Sequence, residues 1–298
     1  MDRLVIGCGY LGERVACAWR DAGDRVFALT RSADRARRLA DRGLTPILGD
    51  VTDPGSLAEL PPVQTVLYAV GLDRASGMTQ RQVYVEGLRN VLPRLPGSIE
   101  QFLYISSTSV YGQNAGEWVN ESSPCEPTTA NGQVCLEAEQ HVWQRFPQQA
   151  AYPAVPSLGV CVLRLAGLYG PGRWIARVDA LRAGQVLSGN PRAWLNLIHV
   201  DDAAATVRAC ALRGAVRETY LVCDDAPSMR CEFYAGLAKR VAAPPPKFAD
   251  DAVVADQGLN KRCCNRKIRE QLGICLMYPR WETGLTHALA TTSHAECP

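Results

Sequence analysis

The sequence predicts a doubly wound α/β fold, a parallel sheet with helices on both faces, followed by a smaller C-terminal lobe. Three observations predict it. Short apolar runs alternate with amphipathic stretches through the first half of the chain, the pattern of repeated βαβ units. A GxGxxG run stands between the first apolar run and the first amphipathic stretch. After about Gly170 the alternation loosens. We therefore divide the chain into a sheet domain over 1–170 and a lobe over 171–298 that packs on the sheet edge and is not independent.

The elements follow in order. "RLVIG" is a strand. "YLGERVACAWRDAG" is a helix, with Leu11, Val15, Ala18 and Trp19 on one face and Gly23 ending it. "DRVFALT" is the second strand, "ADRARRLADRG" a polar-faced helix stopped by Gly43, and "LTPILGD" the third strand. "DPGSLAEL" reads as a short helix, "VQTVLYAVG" as the fourth strand and "TQRQVYVEGLRNVLPRL" as a longer helix. "IEQFLYISS" is the fifth strand, "GQVCLEAEQHVWQRF" a helix and "GVCVLRLAGLYG" the sixth strand. Beyond it come helices at "RWIARVDALRAG", "DDAAATVRACALR", "CEFYAGLAKRVA", "NRKIREQLG" and "RWETGLTHALA", with strands at "WLNLIHV" and "ETYLVCD". Right-handed crossovers make such a sheet doubly wound.

Composition narrows the function. Apolar residues make up 47% and charged residues 21% of 298 residues, ordinary globular usage. A net charge of +2 with no Lys/Arg block gives no footprint for nucleic acid. No apolar run approaches a bilayer span. The first strand begins at Arg3, which leaves no room for a signal peptide, so we expect a cytoplasmic protein. Twelve cysteines in a chain of this length do not make a disulfide scaffold, and their spacings offer no metal-ligand set. We read most of them as small apolar core residues and expect no metal. The four lysines, Lys239, Lys247, Lys261 and Lys267, all lie late in the chain.

"VIGCGYLG" places Gly7, Gly9 and Gly12 after a strand and at the start of a helix. That context makes the motif a dinucleotide fingerprint of the Rossmann type. Gly7 permits the tight turn, Gly9 lets backbone approach a pyrophosphate, and Gly12 allows close helix–strand contact. The helix N-terminus adds N–H groups and the positive end of its dipole. Tyr10 and Leu11 complete this turn. An NAD-preferring loop carries an acid about 20 residues further on. Thr30, Arg31 and Ser32 stand there instead. Arg31 can fork onto a 2′-phosphate and Ser32 can donate to it, so we expect NADP, with NAD as the alternative. Asp50 in "LGDVTD" is either an acceptor for the adenine amino group or a turn cap. Val51, Ala69, Val70, Gly71 and Ser106, at the ends of later strands, complete the expected cofactor surface.

"GCGYLG", "LGDVTD", "YVEGLRNVL", "YISSTSVYG", "LRLAGLYGPGR" and "NLIHVDDAA" occur in the order seen in extended short-chain dehydrogenases/reductases. The chain resembles that group, the NAD-dependent epimerase/dehydratase superfamily, over nearly its whole length. The resemblance implies that Ser107 orients a substrate oxygen. It also implies a tyrosine at the start of the next helix and a lysine one turn later, whose charge lowers the phenol pKa from about 10. Here those places hold Asn131 and Cys135 in "NGQVC", while "LEAEQ" continues the pattern. Asn131 has no titratable proton, and an ionised Cys135 would be negative. The usual proton relay is therefore absent, which resembles the atypical subgroup that keeps the fold and loses the tetrad.

Other groups offer a proton. Tyr111 in "SVYG" is first a packing residue and second a donor. Cys135 is first a small apolar helix residue and second a donor. Glu121 and His199 are further candidates, though His199 suits a structural bond at a strand end, and Asp201 or Asp202 a helix cap. Ala166 and Gly167 stand where sugar-nucleotide epimerases bring an asparagine, which weakens a UDP-sugar reading. Arg173, Trp174, Arg192 and Trp194 lie where a substrate pocket is expected. Two functions compete: an NADP-linked oxidoreductase or epimerase on a small carbonyl or hydroxyl substrate, and an inactive NADP(H)-sensing or scaffold protein. Binding of another nucleotide in the phosphate cradle is a third. The expected partner is a small molecule, with the chain acting as a monomer or homodimer.

Overall fold

A computed structural model describes residues 1–57, 59–147, 158–173, 175–214, 216–249 and 259–292. The first half runs β1 (Asp2–Ile6), α1 (Gly12–Asp21), β2 (Arg25–Thr30), α2 (Ala33–Asp41), β3 (Thr45–Leu48), β4 (Thr65–Tyr68), α3 (Gly87–Val91), β5 (Gln101–Ser107), β6 (Glu117–Val119), α4 (Ala130–Arg145) and β7 (Gly159–Leu165). Then come β8 (Gly167–Tyr169), α5 (Ile175–Arg182), β9 (Val186–Leu187), β10 (Trp194–Leu195), β11 (Leu197–His199), α6 (Val200–Arg213), β12 (Arg217–Val222) and β13 (Ser228–Met229). The chain continues through α7 (Arg230–Arg240), β14 (Lys247–Phe248), β15 (Lys261–Cys263), α8 (Arg266–Leu272) and α9 (Trp281–Thr292).

Seven strands form the central sheet in the order β12-β7-β5-β4-β1-β2-β3, and every neighbouring pair is parallel. The order reverses between β1 and β4, so a crevice opens there at the strands' carboxyl ends. Alternation along each strand sorts side chains to two faces. Val5, Leu67, Leu103 and Leu163 join one core with Val15, Trp19 and Leu39 of α1 and α2 and Val207 of α6. Leu4, Ile6, Tyr68, Phe102 and Val162 join the other with Leu88 and Val91 of α3 and Ala138 and Val142 of α4. A third core, built on Tyr169, Leu181, Phe233, Leu237, Trp281 and Leu285, fills the C-terminal lobe.

Three expectations need correction. The described residues of "DPGSLAEL" form no helix. Pro54 and Gly55 are poor helix formers, and Ser56 Oγ donates to the Asp53 carbonyl oxygen at 2.8 Å, closing a turn. The helix expected from Thr79 onward is broken into a π-helical turn, Gln82–Glu86, the α-helix α3 and a 3₁₀ turn, Leu92–Arg94. The boundary at residue 170 is crossed: β12 returns from the C-terminal part to form an edge of the main sheet, and α6 covers one face of that sheet.

Many of the cysteines are core residues, while Cys17, Cys125, Cys231 and Cys264 are half-buried and Cys275 is exposed. Cys8, Cys135, Cys161, Cys210, Cys223 and Cys263 are buried, and all described cysteines are free thiols. No helix among the described residues is long and apolar enough to cross a membrane.

A buried polar network locks β5, β7 and α4 together. Arg164 Nη2 lies 2.7 Å from Glu139 Oε2, and Arg164 Nε donates to Glu139 Oε1 at 3.0 Å. Arg164 Nη1 donates to the Tyr111 hydroxyl at 2.9 Å, and Ser106 Oγ donates to Glu139. Glu139 is 1% and Arg164 is 7% exposed, so neither charge has water to fall back on. Lys261, also buried, donates to the Tyr111 carbonyl at 2.9 Å and ties the lobe to the same point.

Glu139→Ala should therefore strand the Arg164 charge and lower the unfolding free energy by about 3–5 kcal/mol in a denaturant melt. The double substitution Glu139→Leu with Arg164→Met should recover most of that loss, because no charge is then left unpaired.

Candidate active site

A cavity of about 740 Å³ follows the carboxyl edge of the sheet across the β1/β4 switch point. Its lining includes Gly7, Gly9, Tyr10 and Leu11 at the first turn, Val51 and Asp50 beyond β3, and Ala69, Val70 and Gly71 beyond β4. Ser106, Ser107 and Cys135 line it as well.

The glycine turn is built by close approach. Gly7 has φ of +89°, a conformation side chains avoid. A Cβ there would also lie 2.5 Å from the Val70 nitrogen. At Gly12 a Cβ would overlap the Gly7 carbonyl oxygen. Gly9 differs, since a Cβ would meet nothing within 4 Å. The space beside it belongs to the cavity, open to the first turn of α1, where helix N–H groups have no intrahelical acceptor. This cradle and that helix end fit the pyrophosphate of a dinucleotide.

Near β2, the cavity meets Arg31, Ser32, Arg35 and Arg38. Arg31 pairs with Asp73 at 2.6 Å, both side chains being exposed. Ser32 caps α2 by accepting from the Arg35 backbone N–H at 3.3 Å. Arg35 is held by the Cys8 carbonyl at 2.9 Å and by Glu13 at 2.8 Å. Arg38 lines the cavity with no ionic partner among the described residues. The sequence of a polar-faced helix did not single it out. Asp50 uses one carboxylate oxygen to accept from the Thr52 N–H and hydroxyl, at 2.9 and 2.7 Å. It is a turn cap that also faces the cavity.

Towards the other end stand Tyr84, Tyr104, Ser107, Cys135, Leu165, Ala166, Leu168 and Arg173. Ser107 Oγ accepts from the Ser109 N–H at 3.1 Å, which leaves its own hydrogen to donate. Cys135 is buried, and burial raises its thiol pKa above the ordinary value, with a bond to Ser109 opposing. Its sulfur donates to Asn131 Oδ1 at 3.8 Å. Asn131 is not among the lining residues. Its amide oxygen also accepts from Gln80 Nε2, so it anchors the chain before α3. No lysine is among the lining residues.

The remaining candidates sit elsewhere. Tyr111 is fully buried and its hydroxyl accepts from Arg164. Burial drives its pKa up, against the Arg164 charge. The donor role considered for it finds no opening to the cavity. Glu121 accepts from the Leu221 N–H at 2.8 Å, and His199 Nδ1 accepts from the Asp201 N–H at 3.2 Å. His199 is wholly buried, and burial pushes its pKa down to about 4. Asp202 does not cap its helix. It accepts from the Met277 and Tyr278 N–H groups at 2.7 and 2.9 Å and pins the C-terminal turn. Arg192 and Trp194 lie off the cavity, and Trp194 faces Arg262. Trp174 is outside the described residues. Arg173 lines the cavity where a pocket residue was expected, whereas Tyr84 was not singled out from sequence. A tyrosine between two valines inside an amphipathic run carries no mark of its own.

The family model described as NAD dependent epimerase/dehydratase matches residues 3–223. The protein YeeZ of Escherichia coli is 26% identical, over 92% of this chain and 95% of its own. A solved structure of a functionally unknown conserved protein from Silicibacter pomeroyi is 31% identical, with a TM-score of 0.77 over 97% of this chain and 98% of that one. A putative NAD-dependent epimerase/dehydratase from Methylobacillus flagellatus is 29% identical, with a TM-score of 0.74 over 98% of both chains.

The glycine geometry separates folding from binding. Gly9→Ala should melt at the same temperature as the parent without ligand, yet lose most of the rise in Tm that NADPH gives. Gly12→Ala should lose about 1–3 kcal/mol of stability even without ligand, because helix and turn must move apart. Thermal melts with and without NADPH check both.

Proposed function

The chain belongs to the NAD dependent epimerase/dehydratase family, and from that premise we propose that it is an NADP(H)-linked oxidoreductase or epimerase acting on a small carbonyl or hydroxyl compound. One observation carries this reading: the glycine cradle and Ser107 line a single cavity. A nicotinamide dinucleotide bound there would supply or accept a hydride. The chain does the rest. Gly9 and the first turn of α1 hold the pyrophosphate. Arg173, stacked 5.2 Å from the Tyr10 ring centre, adds positive charge beside that turn. The Ser107 hydroxyl donates to the substrate oxygen. Leu165, Ala166 and Leu168 keep the floor of the pocket apolar.

The preference for NADP rests on charge at the end of β2. Arg31 and Arg38 both line the cavity there with Ser32. Asp73 is the acid in that corner, and it already engages Arg31. Arg38 is the cation left to meet a 2′-phosphate without first breaking an ion pair.

Asn131 and Cys135 favour a second reading, a protein that holds the dinucleotide without turnover. Absorbance loss of NADPH with a panel of carbonyl compounds decides between them. Turnover that falls in Ser107→Ala supports the enzyme, whereas a ligand-raised Tm with no turnover supports the sensor. Arg31→Asp and Arg38→Ala should each weaken NADPH about tenfold or more while changing NADH little. Equal weakening of both dinucleotides in a binding titration would overturn the 2′-phosphate assignment.

A further inference from the structure

We propose that Tyr84 is the acid–base group of this site and supplies the proton that Asn131 and Cys135 cannot. The inference rests on the oxidoreductase reading above and deepens it.

Tyr84 lines the cavity together with Ser107 and Cys135. Its ring is packed at the edge of one sheet core, and it is half-buried. It sits on the π-helical turn Gln82–Glu86, a rare geometry that recurs at functional sites. The Leu72 N–H donates to Tyr84 Oη at 3.2 Å, which fixes the hydroxyl against the wall beyond β4. The phenol oxygen is the acceptor in that bond, so the hydroxyl hydrogen is left to donate into the cavity.

The segment leading into the turn is tied to α4 by two contacts. Gln80 donates to Asn131, and Arg81 pairs with Glu137. Asn131 has thus become the anchor of the segment that carries Tyr84. Tyr104 of β5 lines the same cavity as Tyr84 and Cys135. The titratable and charged groups that share this lining with Tyr84 include Tyr104 from β5, Cys135 from α4, Asp73 beyond β4 with its partner Arg31 beyond β2, and Arg173.

The alternatives have other engagements. Tyr111 faces Arg164 in the core, Glu121 holds β12, and His199 caps α6. Tyr10 lies at the glycine turn under Arg14 and Arg173. Tyr104 is buried to 4% exposure.

In reduction, the carbonyl oxygen would take the Tyr84 Oη proton while the carbonyl carbon would take the hydride that a bound reduced dinucleotide supplies. The C=O π bond would break, one C–H and one O–H bond would form, the carbonyl would be reduced to an alcohol at the expense of the dinucleotide's two electrons, and solvent would return a proton to the Tyr84 phenolate.

Tyr84→Phe tests the role, with two readouts on the full chain. The first is independent of activity: near-ultraviolet absorbance of phenolate during a pH titration, with and without saturating NADP⁺. The cationic nicotinamide favours a nearby phenolate. A one-tyrosine step should therefore move to lower pH when NADP⁺ binds, and the step should be missing in Tyr84→Phe. The second is turnover of nitrobenzaldehyde or phenanthrenequinone with NADPH. It should fall about 100-fold or more in Tyr84→Phe, with the NADPH Kd unchanged. Tyr84→His, which keeps a titratable donor, should regain part of that turnover, and it stands in should the phenylalanine variant not fold. A NADP⁺-dependent step that persists in the variants, or turnover that survives in Tyr84→Phe, overturns the proposal. Should the parent protein reduce neither carbonyl, the oxidoreductase reading fails for them, and the absorbance step alone decides on Tyr84.

Discussion

Between β1 and β4 the chain passes so close to itself that no side chain fits at Gly7. Its φ of +89° and the Val70 nitrogen 2.5 Å from where a Cβ would stand make the constraint double. This contact fixes where β1 stops, where α1 starts and which backbone atoms face the crevice. Gly12 brings the helix down onto the same turn, and the cavity opens beside Gly9 because nothing else fills that space. The binding surface is thus made by backbone whose path is set by two obligatory glycines. Side chains are added around it, and they can change without disturbing the cradle.

The second fixed point lies on the far side of the sheet's carboxyl edge. Arg164, Glu139, Tyr111 and Ser106 form a buried, hydrogen-bonded set that joins β5, β7, α4 and the loop after β5. Lys261 reaches the same loop from β15, and burial brings its pKa down to about 8, against a smaller opposing effect of Cys263. The cost of leaving any of these groups unpaired is large compared with the stability of a domain. They therefore hold Ser107 in register with α4, although none of them needs to touch a ligand.

The parts of the fold that were legible in the sequence are those written in local pattern. The glycine spacing, the alternation of Leu4, Val5 and Ile6, and Gly23 at the end of α1 each carry their own geometry. The parts that were not legible depend on distant neighbours. β12 joins the main sheet because β7 offers it an open edge, which nothing in "ETYLVCD" records. "DPGSLAEL" has apolar spacing that suits a helix, but Pro54 and the Ser56 turn bond decide otherwise. In the site, Ser107 and the loss of the Tyr–Lys pair were readable because a motif numbers them. Arg38 and Tyr84 were not, since one looks like any charge on a polar helix and the other like any aromatic in an apolar stripe. Only the cavity picks them out.

That contrast bears on how such a site can change its chemistry. A proton relay of tyrosine and lysine one turn apart is written on a single helix, here α4. The dinucleotide cradle is written on β1, α1 and β4. Because the two are on different elements, substitution at Asn131 and Cys135 leaves the cradle intact. It also frees Asn131 to bond Gln80 and brace the turn over Gln82–Glu86 against α4. A phenol carried by that turn then meets the same pocket, with its oxygen fixed by the Leu72 N–H rather than by a neighbouring cation. Proton supply at this crevice would therefore follow from which wall presents a donor, while the phosphate cradle follows from backbone geometry, and the loss of one does not entail the loss of the other.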